Sequence, residues 1–141
     1  MGRFITRTFK AATTAFMVTF LSLVVVLGRE ASSAPAFTIE QADTGKAAYA
    51  KQCASCHLPD LSGSNEIPAL AGQPFKEAWG SRTTKELLDY MSAAMPYGGP
   101  SLTPETYLAI VAYILQSNGA ASGAQALASS TTIRMDNLWG D

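Results

Sequence analysis

A short motif near the middle of the chain constrains its fold more than any other feature. Cys53, Cys56 and His57 form the pattern C-x-x-C-H, which is typical of the attachment of a c-type haem. The spacing lets both thiols reach one edge of a porphyrin from a single turn of backbone, where they can add to its vinyl groups. The histidine after Cys56 then lies under the ring, where an imidazole nitrogen can bind iron. The motif predicts one covalent haem c, joined through Cys53 and Cys56, with His57 as an iron ligand.

The C-x-x-C part of the motif has three other uses, and each fits this chain less well. A structural zinc site needs about four protein ligands, whereas the chain contains two cysteines and one histidine in total. A thioredoxin-like redox pair belongs to a βαβ unit, and no run of β-branched residues after residue 37 indicates a buried parallel strand. A simple structural disulfide is the third alternative.

The N-terminus has the pattern of an export signal. Three basic residues and no acidic ones lie among the first ten, and an uncharged apolar run of 17 residues follows at 11–27. Ala34-Pro35-Ala36 then offers a cleavage site of small residues. We expect residues 1–36 to be a signal peptide that is cleaved after Ala36, with a retained membrane anchor as the alternative. Either outcome places the rest of the chain in the periplasm.

The composition indicates one small, mildly acidic domain. The chain has 141 residues, which suits a single domain with tails. After Ala36 there are six Lys and Arg residues against ten Asp and Glu residues, a net charge near −4. That balance argues against nucleic-acid binding. It is compatible with a redox partner whose docking patch is basic or mixed.

Three helices are predicted from apolar periodicity and capping residues. The first runs from Ile39 to about Lys51, and the second runs from Thr84 to about Ala94. The third begins at Pro104 and ends at Asn118-Gly119. Each follows a threonine that can act as an N-cap, and the first two are predicted to have a capping box.

The segments between and after these helices are predicted to be irregular. Residues 58–80 are rich in proline and glycine and are predicted to form a loop. Residues 120–132 consist largely of Ala, Ser, Gly and Thr, so we expect 120–141 to be a flexible C-terminal tail. The folded domain should therefore span residues 37–119. A domain of this size buries little apolar surface by itself, and a haem would complete its core.

The second axial ligand must be sought among methionines, because the chain has a single histidine. Met95 precedes Pro96, which favours extended backbone at Met95 and frees its side chain to project from the helix end. Met91 lies on the apolar face of the predicted second helix and Met135 lies in the predicted tail. The pattern favours Met95 as the sixth iron ligand, with Met91 or no methionine as alternatives. A thioether ligand would raise the reduction potential and close the iron to substrates.

With these residues the chain resembles a class I c-type cytochrome, most closely the small monohaem cytochromes and fused cytochrome domains that accept electrons from periplasmic quinoprotein and other dehydrogenases. The resemblance covers about residues 37–119. It rests on Gln41, Gly45 through Tyr49, Cys53, Cys56, His57, 68–72, Phe75, Trp79-Gly80, Met95-Pro96, 101–103, 110–115 and Asn118-Gly119.

The resemblance implies roles for further residues around the haem. The Pro68 carbonyl would accept a hydrogen bond from Nδ1–H of His57, which would fix the imidazole ring. Trp79 and Arg82 resemble positions that meet the haem propionates. The alternatives are plain core packing for Trp79 and a solvated charge for Arg82.

The resemblance also implies a close helix crossing and shows two departures from the family pattern. Gly45 would let the first helix cross the third next to Tyr113, with Tyr49 alongside. The sequence departs from the usual pattern at 98–101, after the methionine, and at Leu58-Pro59, where a small residue is common after the histidine.

The implied structure is an all-α cytochrome c fold, in which three main helices wrap around one covalently attached haem. The implied function is transfer of single electrons between redox partners, such as a periplasmic dehydrogenase and a terminal oxidase or another cytochrome, with no catalytic residues. The chain would meet a membrane only through a retained N-terminal segment. The alternatives are a subunit fixed in a dehydrogenase or oxidase complex, and a haem enzyme or gas sensor with an open iron.

Overall fold

The structure, a computed structural model, describes residues 1–2 and 35–139. The predicted signal peptide lies almost wholly outside these residues. None of the described helices combines the length and the hydropathy that a membrane crossing requires. Five α-helices and one 3₁₀ helix make up the regular structure of the described residues: α1 Ile39–Gln52, α2 Ala54–His57, α3 Gln73–Trp79, α4 Thr84–Ala94, α5 Pro104–Ser117 and the 3₁₀ helix Met135–Asn137.

The three predicted helices are confirmed as α1, α4 and α5. Thr38, Thr83 and Thr103 cap them, each accepting a hydrogen bond from a backbone N–H of the first turn. The capping box of α4 is complete, because the Glu86 carboxylate also accepts from the Thr83 backbone N–H at 2.8 Å. The box predicted for α1 is only half made. The amide of Gln41 is bonded instead to the backbone of Leu127.

The predicted loop at 58–80 is wrong in part, because it contains α3. Gly72, with φ of 80°, turns the chain into this helix, and Pro74 lies in its first turn. Proline fits the start of a helix, where its missing N–H has no intrahelical partner. Phe75 is 1% exposed and attaches α3 to the core. The fold therefore has two short helices, α2 and α3, in addition to the three main ones.

The crossing of α1 and α5 forms the centre of the fold. A Cβ on Gly45 would overlap the backbone carbonyl of Ala109, so only glycine allows this approach. One turn further on, the rings of Tyr49 and Tyr113 pack with their centroids 5.4 Å apart. The crossing implied by the resemblance is present, with Gly45 of α1 against the backbone of Ala109 in α5.

The prediction of a flexible tail is wrong for the described residues 120–139, which we call the C-terminal strap. Leu127, Met135 and Leu138 are at most 3% exposed. The backbone of Leu127 exchanges hydrogen bonds of 2.8 and 2.9 Å with the Gln41 side chain. The small and polar residues of the strap led to the prediction of a flexible tail. A few well-spaced apolar side chains are nevertheless enough to attach an irregular segment to a core.

Candidate haem site

The motif residues lie on one turn of helix. The Cys53 carbonyl accepts from the backbone N–H of Cys56 at 3.1 Å and from that of His57 at 2.9 Å. Cys53 is half-buried, Cys56 is exposed, and both thiols are free. This turn presents two thiols three residues apart, as attachment to one edge of a porphyrin requires.

The two thiols differ in their surroundings. Burial raises the pKa of the Cys53 thiol to about 11, and the neighbouring Cys56 adds to the shift. The free Cys53 thiol is therefore protonated at neutral pH and is a weak nucleophile towards solvent reagents. Cys53 is half-buried and packs against the hydrophobic core.

His57 is held in a single orientation by the loop that follows it. The ring is 9% exposed, and its Nδ1 lies 2.9 Å from the Pro68 carbonyl oxygen. A carbonyl can only accept, so Nδ1 carries the proton and donates. In the neutral imidazole, this tautomer has its unprotonated nitrogen at Nε2, which makes no hydrogen bond to a described residue. The contact implied by the resemblance is present, and it leaves Nε2 able to bind a metal.

Gly63 explains why the Pro68 carbonyl lies where it does. With φ of 64°, Gly63 has backbone that L side chains avoid, and a Cβ there would come within 2.7 Å of the Pro68 carbonyl carbon. The Gly63 N–H donates to the His57 carbonyl at 3.1 Å. The segment carrying Pro68 therefore packs directly on a glycine that is itself bonded to His57.

Tyr49 fixes the chain on the other side of the histidine. Its hydroxyl donates to the Leu58 carbonyl oxygen at 2.6 Å. Burial, with a smaller contribution from Cys53, raises the pKa of this phenol well above its ordinary value, so the hydroxyl keeps its proton. Leu58 has φ of 64°, a conformation for which a bulky residue needs such an anchor.

Asn118, which the sequence predicts as the end of a helix, is a positioning residue in the structure. The side chain is 4% exposed. Its Oδ1 accepts from the Gly72 N–H at 3.0 Å, and its Nδ2 donates to the carbonyls of Leu70 and Ile114 at 2.9 and 2.8 Å. Asn118 thereby ties the loop after Pro68 to the end of α5. An asparagine before glycine signals a helix cap, and nothing in the sequence indicates this long-range contact.

The three candidate methionines differ in their burial and in their place in the fold. Met95 ends α4 with φ of −128° and ψ of 149°, the extended backbone that Pro96 predicts, and its side chain is half-buried. Met91 is 7% exposed within the hydrophobic core. Met135 is fully buried in the strap's contact with the core, which corrects its placement in a loose tail.

Trp79 and Arg82 lie in contact with each other. The Arg82 guanidinium carbon lies 4.8 Å from the centroid of the Trp79 ring, a cation–π distance. The Trp79 ring also packs against Phe75 and Tyr90, with centroids 6.3 and 5.6 Å away. Trp79 therefore has a packing role. Arg82 is exposed and lies over the Trp79 ring.

The donor set fits a covalently attached haem. Two free thiols on one turn match the attachment chemistry, and a half-buried thioether at Met95 can serve as a second ligand to iron. The imidazole of His57 is fixed through Nδ1 with Nε2 free, which is the usual arrangement of a metal-binding histidine.

Comparison with known proteins identifies the family. Residues 40–114, more than half of the chain, match the family described as cytochrome c oxidase, cbb3-type, subunit III. No curated protein matches the chain. The crystal structure of the sulfane dehydrogenase SoxCD from Paracoccus pantotrophus is similar over 81% of this chain and 66% of that chain, with 26% identity and a TM-score of 0.49. This chain thus spans just under two thirds of the length of that one.

The family match, the helical architecture and the C-x-x-C-H turn agree with one another. The matched residues begin in α1 and end in α5, so they contain the motif, the Pro68 loop and Met95. The chain therefore belongs to the family described as cbb3-type cytochrome c oxidase subunit III, and it is an electron-transfer protein of the class I c-type cytochromes with an all-α fold.

Proposed function

We propose that this protein is a periplasmic monohaem cytochrome that carries single electrons between redox partners. One haem c would be attached through Cys53 and Cys56, with His57 and Met95 as the axial iron ligands. The hydrogen bond between His57 Nδ1 and the Pro68 carbonyl supports this proposal most directly. It fixes the tautomer and orientation of a nearly buried imidazole that has no acid–base partner among the described residues.

The chain's residues would hold and shield the cofactor. When bound, a haem supplies reversible one-electron exchange at its iron. Contacts of Pro68, Gly63 and Tyr49 hold the segment around His57 in place. Rigid ligation keeps structural change on electron transfer small, as a carrier requires.

Met95 distinguishes a carrier from an enzyme or sensor with an open iron. Its half-buried side chain at the end of α4 suits it to fill the sixth coordination position. A filled position leaves no site for a substrate or a gas. The partners of such a carrier would include a periplasmic dehydrogenase as donor and a terminal oxidase or another cytochrome as acceptor.

Mass spectrometry and optical spectra of protein matured in a haem-attaching host test the proposal. We expect the mass of one haem to be added covalently, and the double variant Cys53→Ser/Cys56→Ser to lack it. The ferric protein should show the weak far-red band of iron–thioether ligation. An unmodified mass would refute haem attachment, and ready binding of carbon monoxide to the untreated ferrous protein would refute Met95 ligation.

Intact mass also tests export. Cleavage after Ala36 predicts a mature chain that begins at Phe37, whereas a retained anchor leaves residues 1–36 in place and the protein in the membrane fraction.

A fixed subunit of an oxidase or dehydrogenase complex is the second candidate, which the description of the matched family favours. Docking of a carrier is typically small and weak, and salt disrupts it. Purification at high salt separates the two candidates: a free carrier should elute alone, whereas a subunit should retain a large partner.

A further inference from the structure

The hydroxyl of Tyr107 joins the two ends of the segment that follows Met95. The residue lies in α5 and is 3% exposed. Its hydroxyl donates to the Met95 carbonyl oxygen at 2.6 Å and accepts from the Leu102 backbone N–H at 3.2 Å. A single phenolic oxygen therefore closes the loop of residues 96–101.

This loop has few other attachments. Within the loop, a turn is closed by a hydrogen bond from the Gly99 N–H to the Pro96 carbonyl oxygen at 3.0 Å. Residues 97–101 are exposed, and Tyr97 retains 94% of its accessible surface. Gly98, with φ of 69°, has no other atom near the position of a Cβ. Besides the helical hydrogen bond from its own N–H to the Met91 carbonyl at 2.9 Å, Met95 is therefore held by the contacts at the two ends of the loop.

The histidine side of the site is built in the same way. Tyr49 of α1 donates from its hydroxyl to the Leu58 carbonyl at 2.6 Å, one residue after His57. Tyr107 of α5 donates to the carbonyl of Met95 itself at the same distance. Since α1 and α5 cross in close contact at Gly45, one rigid helix pair holds the backbone at both proposed ligands.

We propose that Tyr107 is the positioning residue for the methionine ligand. Its hydroxyl fixes the Met95 main chain so that the thioether stays on the iron. This inference rests on the proposed ligation by Met95. Iron–thioether bonds are weak enough for external ligands to compete, so the fraction bound depends on how well the protein orients the sulfur.

The variant Tyr107→Phe tests this in the haem-loaded protein. It keeps the ring and its packing and removes only the hydroxyl, which leaves the Met95 carbonyl and the Leu102 N–H without their partner. The probe is imidazole, added to the ferric protein while the far-red band is followed. Loss of this hydrogen bond should lower the imidazole concentration that removes half of the band by about 2- to 10-fold.

Tyr113→Phe is the matched control. Tyr113 also lies in α5 and is half-buried, but its hydroxyl makes no hydrogen bond to a described residue. We expect this variant to titrate like the unaltered protein. Denaturant unfolding of both variants must show that they are folded throughout the imidazole range, so that a lower midpoint reports local release of the ligand.

The outcomes are distinct. A Tyr107→Phe midpoint equal to that of Tyr113→Phe overturns the role of Tyr107 and leaves Met95 ligation intact. A far-red band that is absent from the unaltered protein, or unchanged in Met95→Leu, overturns the ligation itself and the inference with it. A selective shift in Tyr107→Phe supports both.

Discussion

At the scale of single residues, the proposed site depends on backbone carbonyls held in fixed positions. Pro68 and Leu58 offer carbonyls to His57 and Tyr49, and Asn118 holds the loop beyond Pro68. The sequence identified His57 and Pro68, the latter through family resemblance. It could not identify Asn118, because that contact joins residues 46 to 48 positions apart.

Met95→Leu should abolish the far-red band of the ferric protein, since leucine keeps the size of the side chain and removes the sulfur. Met91→Leu is the control, because it makes the same change in the core. It should retain the band and lose less than about 1.5 kcal/mol of stability. A band that disappears only in the Met91 variant would transfer the ligand role to that residue.

Asn118→Ala should reduce the free energy of unfolding by about 2 to 4 kcal/mol, because it removes the three hydrogen bonds that the buried Asn118 side chain makes to the backbone of Gly72, Leu70 and Ile114. Ser117→Ala removes an exposed hydroxyl bonded to the Tyr113 carbonyl and should change stability by less than about 0.5 kcal/mol. Denaturant titration of the haem-loaded protein measures both. Equal effects would show that the Asn118 contacts do not hold the loop.

At the scale of elements, capping signals and apolar periodicity predicted the three main helices correctly. Local interactions determine where a helix begins, and Thr38, Thr83 and Thr103 provide them. The short helices α2 and α3 escaped prediction because four and seven residues are too few to show a period. Contacts with the rest of the fold stabilise them instead.

Gly45→Ala should destabilise the protein by about 3 kcal/mol, because the added Cβ overlaps the Ala109 carbonyl and pushes α1 away from α5. Gly119→Ala is the control. Gly119 has φ of 92° with no other atom near a Cβ, so alanine there should cost only the backbone strain of about 1 to 2 kcal/mol. A thermal or denaturant midpoint for Gly45→Ala at or above that of Gly119→Ala would contradict the close crossing.

The capping box of α4 predicts an acid-dependent contribution to stability. Hydrogen bonds from the Thr83 hydroxyl and N–H lower the pKa of Glu86 below its ordinary value of 4.5. A pKa lowered by folding gives stability that is fully present above pH 4.5 and is lost as the pH falls through the folded-state pKa. Glu86→Gln should therefore be less stable than the unaltered protein at neutral pH.

That difference should shrink as the pH falls below 4.5, the ordinary pKa of the group. Unfolding curves of both proteins across this range measure it. Glu66→Gln removes the same charge from an exposed loop position and serves as the control. A constant gap between Glu86→Gln and the unaltered protein at all pH values would argue against the ionised capping box.

At the scale of the whole molecule, the C-terminal strap closes the fold at the start of α4. The buried Thr84 hydroxyl donates to the Thr131 carbonyl at 2.9 Å and accepts from the Ile133 N–H at 3.2 Å. The Met135 N–H donates to the Arg82 carbonyl at 2.9 Å. The strap lies beyond the family match, which ends at residue 114, yet it forms part of the same core.

Leu138→Ala tests whether the strap is part of the cooperative fold. Leu138 is fully buried, so its truncation should cost about 2 to 5 kcal/mol. Gln125→Ala changes an exposed side chain of the same segment and should leave stability within about 0.5 kcal/mol. If Leu138→Ala unfolds at the same denaturant concentration as Gln125→Ala, the strap is loosely attached in solution.

The sequence alone determined the haem-binding motif, the family and the positions of the main helices, because a contiguous pattern or a local capping interaction encodes each of them. Only the tertiary structure showed the roles of Asn118 and Tyr107 and the packing of the strap. Those features depend on contacts between side chains and distant backbone groups, and folding alone brings such groups together. The composition of the C-terminal strap, rich in small and polar residues, predicts a flexible segment. The strap is instead attached to the core, because Leu127, Met135 and Leu138 are buried there.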